Sequence, residues 1–266
     1  MKTDKLFRNL LQTVGLLSLM VLVACTTSPT AASAAASATL THPAATIAAP
    51  APVSDVTTVD ENGSTAIDQI ALTSAFDQVA TDQLGDTEIE GILYMREEEK
   101  LARDVYLTLY QEWELPVFQN IAGSEATHME AVKTLIDRYG LEDPAAGQDI
   151  GTFTNPTLQE LYDQLVADGN KSLADALRVG AAIEEIDILD LEEQVAQTDK
   201  ADIQLVYENL MKGSRNHLRA FTSTLEKQTG ETYQPQYLDP AAYDAIVNTP
   251  RETGGNGQGQ GQGQGG

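Results

Sequence analysis

Glu125-Ala126-Thr127-His128 places a carboxylate and an imidazole three residues apart in a stretch whose apolar residues, Phe118, Ile121, Met129, Val132, Leu135 and Tyr139, recur every three or four positions. Glu125 and His128 fall on that same stripe, so both point toward a core. An ionised carboxylate buried without compensation costs several kcal/mol, and a metal ion is one compensation. The side chains of such a pair stand about 5–6 Å apart at their Cβ atoms, close enough to share a divalent cation. Taken alone the motif is weak, since a capped or salt-bridged pair at a helix end uses the same residues.

Three further helical stripes carry chemistry of the same kind. The first runs from about Asp86 to Trp113, with Ile92, Met95, Ala102, Tyr106 and Leu109 at three-four spacing and Glu99 between Met95 and Ala102. The second holds Glu125 and His128 and extends from Pro116, suited to a first helical turn, to Tyr139-Gly140. A third, from the N-cap candidate Ser172 to Gln197, has Leu173, Leu177, Gly180, Ile188, Leu191 and Val195 on one face together with Glu184. The fourth, Lys200 to Lys227, aligns Tyr207, Leu210, Phe221 and Leu225 with Ser214 and His217. Between the second and third lies a connection of some thirty residues with a short amphipathic helix at Leu158, Leu161, Tyr162 and Leu165, long enough for a crossover between parallel neighbours. A short helix over Ala241–Val247 completes the set. No segment alternates with period two long enough to suggest a strand, so the fold class read from the pattern is all-α.

Each inward stripe thus contributes a potential ligand: Glu99, then Glu125 with His128, then Glu184, then His217. Di-iron carboxylate bundles use one Glu from each of two helices and Glu-x-x-His from each of the other two, and the order here matches. The intervals of 26 residues from Glu99 to Glu125 and 30 from Glu184 to Ser214 suggest a repeated helix pair.

On these residues the chain resembles the ferritin-like superfamily, in particular its rubrerythrin-related branch. Glu99-Lys100-Leu101-Ala102-Arg103-Asp104-Val105-Tyr106 is similar to the first-helix signature of that branch. Ser124-Glu125-Ala126-Thr127-His128-Met129, Ala182-Ile183-Glu184-Glu185-Ile186-Asp187-Ile188 and Gly213-Ser214-Arg215-Asn216-His217-Leu218-Arg219 resemble more narrowly a ferritin-like family catalogued as domain of unknown function 2202. The resemblance covers about residues 85–228. It implies a ferritin-like four-helix bundle with a long crossover and a short extra C-terminal helix, and metal ligands at Glu99, Glu125, His128, Glu184 and His217. The implied cofactor is iron, as one ion or a di-iron pair, with zinc and manganese compatible with the same donors. The pattern would put a fourth carboxylate three residues before the second His, where this chain has Ser214. Three carboxylates and two imidazoles suffice for one metal, and for two if Glu98 or Glu185 swings in.

Neighbouring residues have their own readings. Glu97, Glu98 and Glu185 read as a solvated face. Asp187, one turn after Glu184, is a partner for a ligand imidazole or for Arg103 or Arg215. Tyr94, Tyr106 and Tyr207 read as packing, and Arg215 and Arg219 as neutralising nearby acids.

The ends frame the helical region. Lys2, Lys5 and Arg8, an apolar run from Leu16 to Ala24, and Leu22-Val23-Ala24 before Cys25 resemble a bacterial lipoprotein signal (1–24), in which Cys25 becomes the lipidated first residue. Residues 25–66 are an Ala/Ser/Thr/Pro tether containing His42, residues 67–247 the helical domain, and residues 248–266 a Gly/Gln tail. The expected location is the cell envelope, membrane-anchored through Cys25, with a homodimer left open. Because Cys25 is the only cysteine, the folded part has no disulfide, thiolate metal site or rubredoxin-type electron relay.

The leader carries three of the 16 Lys+Arg and one of the 40 Asp+Glu, so its removal leaves a net charge of −26. Such a surface repels nucleic acid. The function expected is oxidation of Fe(II) by oxygen or peroxide, which would need an external reductant or iron itself as electron source. The alternatives are a non-catalytic single-metal-binding lipoprotein and a structural or interaction module with a closed polar network.

Overall fold

Capping chemistry sets the helix boundaries. The structure, a computed structural model, describes residues 56–60 and 64–254. The leader, Cys25 and His42 lie outside them, as does the tail beyond Gly254. Asp68 accepts from the N–H groups of Ile70 and Ala71 and starts α1, Gln69–Phe76. Helix α2, Asp86–Trp113, opens with Glu88 accepting from the Gly85 N–H and closes on Glu114 in the left-handed region (φ 51°). Helix α3, Pro116–Tyr139, has proline in its first turn and ends on Gly140 (φ 65°). Asn155 caps α4, Pro156–Gly169, and Ser172 caps α5, Leu173–Ala196. Helix α6, Ala201–Thr229, stops at Gly230, and α7, Pro240–Val247, follows.

Among the described residues the chain is mostly helical, in line with the all-α reading. It also contains two three-residue strands, β1 (Thr57–Val59) and β2 (Thr65–Ile67), paired antiparallel with Thr57 opposite Ile67. The hairpin docks on the helices: the Thr65 N–H donates to Ser124 Oγ (2.9 Å), the Ile67 N–H to Thr127 Oγ1 (3.2 Å), and Thr57 Oγ1 to Asn209 Oδ1 (2.6 Å). Val56, Thr57 and Thr65 are buried, so the packed chain begins ahead of the Ile67 boundary.

The long helices associate as two pairs with short connections, α2 with α3 and α5 with α6, and the pairs meet through α3–α6 and α2–α5 contacts. Helix α4, on the connection between the pairs, packs on both α2 and α5. This third layer explains a departure from the sequence pattern. Arg96 through Ala102 are buried without interruption, as are Val179 through Ile188. Seven or more consecutive buried residues wrap past a full turn, so the middles of α2 and α5 have no solvated face.

Glu97, Glu98 and Glu185 therefore lie inside rather than on a solvated surface. Glu97 accepts from the Thr154 N–H and hydroxyl and from the Asn155 N–H at the start of α4. Glu185 accepts from the N–H groups of Gln236, Tyr237 and Leu238, pinning the segment before α7. The same layer uses Lys100, which donates to Asp104 (2.5 Å) and to the Asp149 carbonyl (2.8 Å) beneath the Phe153 ring.

Arg96 ties α2 to the start of the crossover. Its Nε and Nη2 donate to the two carboxylate oxygens of Asp143, both at 3.0 Å, and Nη1 donates to the Met129 carbonyl at 2.6 Å. Burial would raise the Asp143 pKa, but hydrogen bonds from Arg96 and the Ala145 N–H hold it below its ordinary 3.8. A depressed carboxylate contributes stability that is present above about 3.8 and is lost as pH falls through the folded-state value. Asp143→Asn is expected to cost about 2 kcal/mol at pH 7, the range for a hydrogen bond to a charged group. In urea titrations its deficit against the wild type should shrink below about pH 3.8.

Candidate metal centre

Glu99 from α2, Glu125 and His128 from α3, Glu184 from α5 and His217 from α6 converge, each no more than 2% exposed. They form two triads that share Glu125. In Glu99–Glu125–His128 and in Glu125–Glu184–His217, one ligand atom per residue lies within 4.8 Å of the others. Glu125 spans the pair: its Oε2 is 2.9 Å from His128 Nδ1 and its Oε1 is 2.8 Å from His217 Nδ1. Glu99 Oε2 stands 3.3 Å from His128 Nδ1, and Glu184 Oε2 stands 3.5 Å from His217 Nδ1. The imidazoles stack with centroids 5.5 Å apart and planes 23° apart.

Close as they are, His217 Nδ1 and Glu125 Oε1 do not form a hydrogen bond; both are buried with no hydrogen-bond partner, as is Glu99 Oε1. Orphaned buried polar atoms are rare and costly. His128 Nδ1 and Glu99 Oε2 do align in a hydrogen bond, but the atoms left unpaired around them fit a shared ion better than a network closed on itself.

The far sides of the rings are held by a residue from the hairpin. Thr65 Oγ1 lies 3.2 Å from His128 Nε2 and 2.9 Å from His217 Nε2. A hydroxyl oxygen has two lone pairs and can accept from both Nε2–H groups, which leaves both Nδ1 atoms facing the carboxylates. Gly213 makes room for this arrangement. A Cβ there would stand 2.5 Å from His128 Cε1, 2.6 Å from His128 Nε2 and 2.8 Å from Thr65 Oγ1. Tyr106 touches the site rather than merely packing, donating from its hydroxyl to Glu184 Oε1 at 2.6 Å. Tyr207 is buried in the apolar core, and Tyr94 donates to Asp190 at 3.4 Å.

The electrostatics follow from crowding. Burial would raise the Glu125 pKa, but the His217 and His128 charges on either side hold it well below the carboxylate range. Burial pushes Glu99 up to about 8; the attraction of His128 opposes this and Glu125 adds to it. Burial disfavours the His217 cation, yet Glu125 and Glu184 outweigh it and raise the ring to about 9, and His128 is raised by Glu125 and Glu99 in the same way. The metal-free site thus retains protons at neutral pH that a cation would displace.

Nearby basic residues are engaged elsewhere. Arg103 pairs with Asp104, and Arg215 and Arg219 pair with Glu252 beyond α7. Asp187 consequently meets neither Arg103 nor Arg215, nor a ligand imidazole; it accepts a short hydrogen bond from Ser214 Oγ. Glu185 is held by the 236–238 backbone and does not turn toward the site, while Glu98 faces Asp190. Glu99, Glu125, His128, Glu184 and His217 are brought together. Thr65 was missed, because nothing in a short Thr-Ala-Ile segment distinguishes it from the tether.

The pattern of the family described as uncharacterized protein domain (DUF2202) matches residues 88–250, which hold all five of these residues. The chain belongs to the DUF2202 family. Its relatives include the uncharacterized protein MJ0754 of Methanocaldococcus jannaschii, 54% identical over 173 residues, which span 65% of this chain and 93% of the relative. The crystal structure of hypothetical protein MJ0754 superposes with a TM-score of 0.64 at 52% identity, over 65% of this chain and 99% of the other. No helix among the described residues of the DUF2202 chain is long and apolar enough to cross a membrane.

Gly213→Ala is expected to destabilise the protein by about 1–3 kcal/mol, the usual cost of overpacking, because both His128 and Thr65 must move. Gly123→Ala, on the exposed side of α3 with nothing within 4 Å of the added methyl, should be neutral or gain up to about 1 kcal/mol. Thermal unfolding of the two variants side by side checks the contrast.

Proposed function

We propose that this DUF2202 protein is a ferritin-like helical bundle that binds iron between its two helix pairs and oxidises Fe(II) with oxygen or peroxide. The observation that carries the reading is the shared carboxylate: Glu125 reaches both Nδ1 atoms at 2.8–2.9 Å, with Glu99 and Glu184 beside one ring each. Hard carboxylate oxygens with imidazole nitrogen suit iron, manganese or zinc and disfavour metals that prefer thiolate. Two Fe(II) ions can supply the two electrons that, with two protons, reduce one O2 to hydrogen peroxide.

The roles of the chain's own groups follow from their positions. Glu125 spans the two triads and fixes their separation. His128 and His217 present Nδ1, and Thr65 holds both rings in that orientation through Nε2. Tyr106 orients Glu184 and leaves its Oε2 toward His217. Near-complete burial keeps bulk water from the donors. The lipoprotein reading of residues 1–25 adds an envelope tether through Cys25 to the same proposal.

Full-length protein loaded anaerobically with Fe(II) is expected to retain iron through desalting. His128→Ala with His217→Ala should abolish retention, and equal, near-zero iron in both proteins would reject metal binding. Absorbance growing in the near ultraviolet on addition of oxygen or peroxide supports oxidation. One retained ion per chain with no absorbance change would instead indicate the non-catalytic metal-binding reading. Thr65→Val, which keeps the shape but removes the shared acceptor, should weaken retention by about 10–100-fold, the usual cost of losing a group that orients a ligand imidazole.

A further inference from the structure

The donor set has an asymmetry that the five converging residues leave unexplained. On α3, Glu125 precedes His128 by three residues and supplies the shared carboxylate. At the corresponding place on α6, three residues before His217, stands Ser214, fully buried and unable to supply an anionic oxygen. Two cations between the helix pairs would then share three carboxylates, too few hard anionic oxygens for a pair of ions.

The Ser214 hydroxyl is not idle. Its single O–H proton is shared between Asp187 Oδ2, the shorter contact, and the Leu210 carbonyl at 3.0 Å. Asp187 lies on α5 three residues after Glu184, on the same face of that helix, and is 5% exposed. Its other oxygen, Oδ1, is buried with no hydrogen-bond partner. Beyond burial, the negative charges that bear on Asp187 most strongly are Glu99 and Glu184, followed by Glu125, so its carboxylate borders the two triads without belonging to either. A buried carboxylate beside three others, with one oxygen unpaired and with Arg103 and Arg215 paired to Asp104 and Glu252 instead, is costly unless a cation joins it.

We infer that Asp187 supplies the fourth carboxylate of the site, delivered from α5 beside Glu184 rather than from α6 beside His217. Ser214 is the complement of that relocation: a small side chain leaves space at position 214, and its hydroxyl orients Asp187 Oδ2 so that Oδ1 faces the ions. The inference rests on the metal-binding reading above and adds one ligand to it. Glu98 also feels the Asp187 charge, but its carboxylate faces Asp190, which accepts from Tyr94.

The test uses full-length protein and anaerobic Fe(II), with iron per chain and affinity as readouts. Wild type is expected to bind two ions. Asp187→Asn, which preserves shape and the hydrogen bond to Ser214, should bind one, or bind the second at least tenfold more weakly. Ser214→Ala, which keeps the carboxylate but removes the hydroxyl that orients it, should bind the second ion more weakly than wild type and more tightly than Asp187→Asn. Because a stability defect could mimic lost binding, a direct signature accompanies these measurements. Asp187→Cys loaded with Co(II) should show a thiolate-to-cobalt charge-transfer band that wild type, whose one cysteine is Cys25, lacks.

Unchanged stoichiometry and affinity in Asp187→Asn, or a cobalt complex of Asp187→Cys without the band, would overturn the assignment and leave metal binding standing. No retained iron in wild type would overturn the metal reading itself.

Discussion

The structure is organised around the cost of holding several carboxylates in one dry space. Glu99, Glu125, Glu184 and Asp187 are all at most 5% exposed, and two imidazoles are the cationic partners placed among them. Two like charges 4 Å apart repel by about 4 kcal/mol at an effective dielectric constant near 20. The metal-free chain relieves this by protonation, which is why Glu99 is pushed up to about 8 and His217 to about 9 while Glu125, between two cationic rings, stays ionised. Divalent ions would relieve the same repulsion more completely and would release those protons.

Much of the surrounding architecture reads as a means of enforcing this proximity. A carboxylate escapes burial by turning toward water, so the helices that carry Glu99, Glu184 and Asp187 are closed on every side along their middles. Helix α4 covers α2 and α5 together, Glu97 anchors the start of α4, and Glu185 pins the chain that covers α5 from the other direction. The basic residues of these helices serve the enclosure rather than the site. Arg96 holds Asp143, Lys100 and Arg103 hold Asp104, and Arg215 and Arg219 hold Glu252. Keeping guanidinium and ammonium groups out of the centre leaves its carboxylates unpaired with any Arg or Lys side chain, whereas an arginine there would satisfy them itself.

The five converging donors were legible in the sequence because each obeys a single-helix rule: a polar residue on an otherwise apolar stripe faces the interior. That rule failed for Glu97, Glu98 and Glu185 for a physical reason. Periodicity assumes one buried and one solvated face, and a helix packed on two sides has none of the second kind; α2 and α5 reveal this only through their neighbours. Asp187 stood in a recognised run, but its partner could not be read there, since the choice among Arg103, Arg215 and Ser214 depends on how α5 and α6 register. Thr65 was invisible for a different reason. Three-residue strands carry too little pattern to register as structure, and the composition upstream resembles a tether.

The division between what was legible and what was not follows a division in the chain. The family match covers 88–250, and every carboxylate and imidazole of the site falls within it. The hairpin that supplies Thr65 lies before it. The helices alone therefore account for the charge of the site and the distances between its donors. What they leave undetermined is the rotation of two imidazoles about their side-chain bonds and the nitrogen that each turns toward the carboxylates. One hydroxyl from the hairpin settles both at once, because the stacked rings bring their Nε2 atoms within reach of a single oxygen and Gly213 yields the space a side chain would occupy. Placing the anions within the helices and the ring orientation in an added strand separates two requirements that a metal centre must meet together, since charge determines whether a cation enters and imidazole orientation determines how it is held.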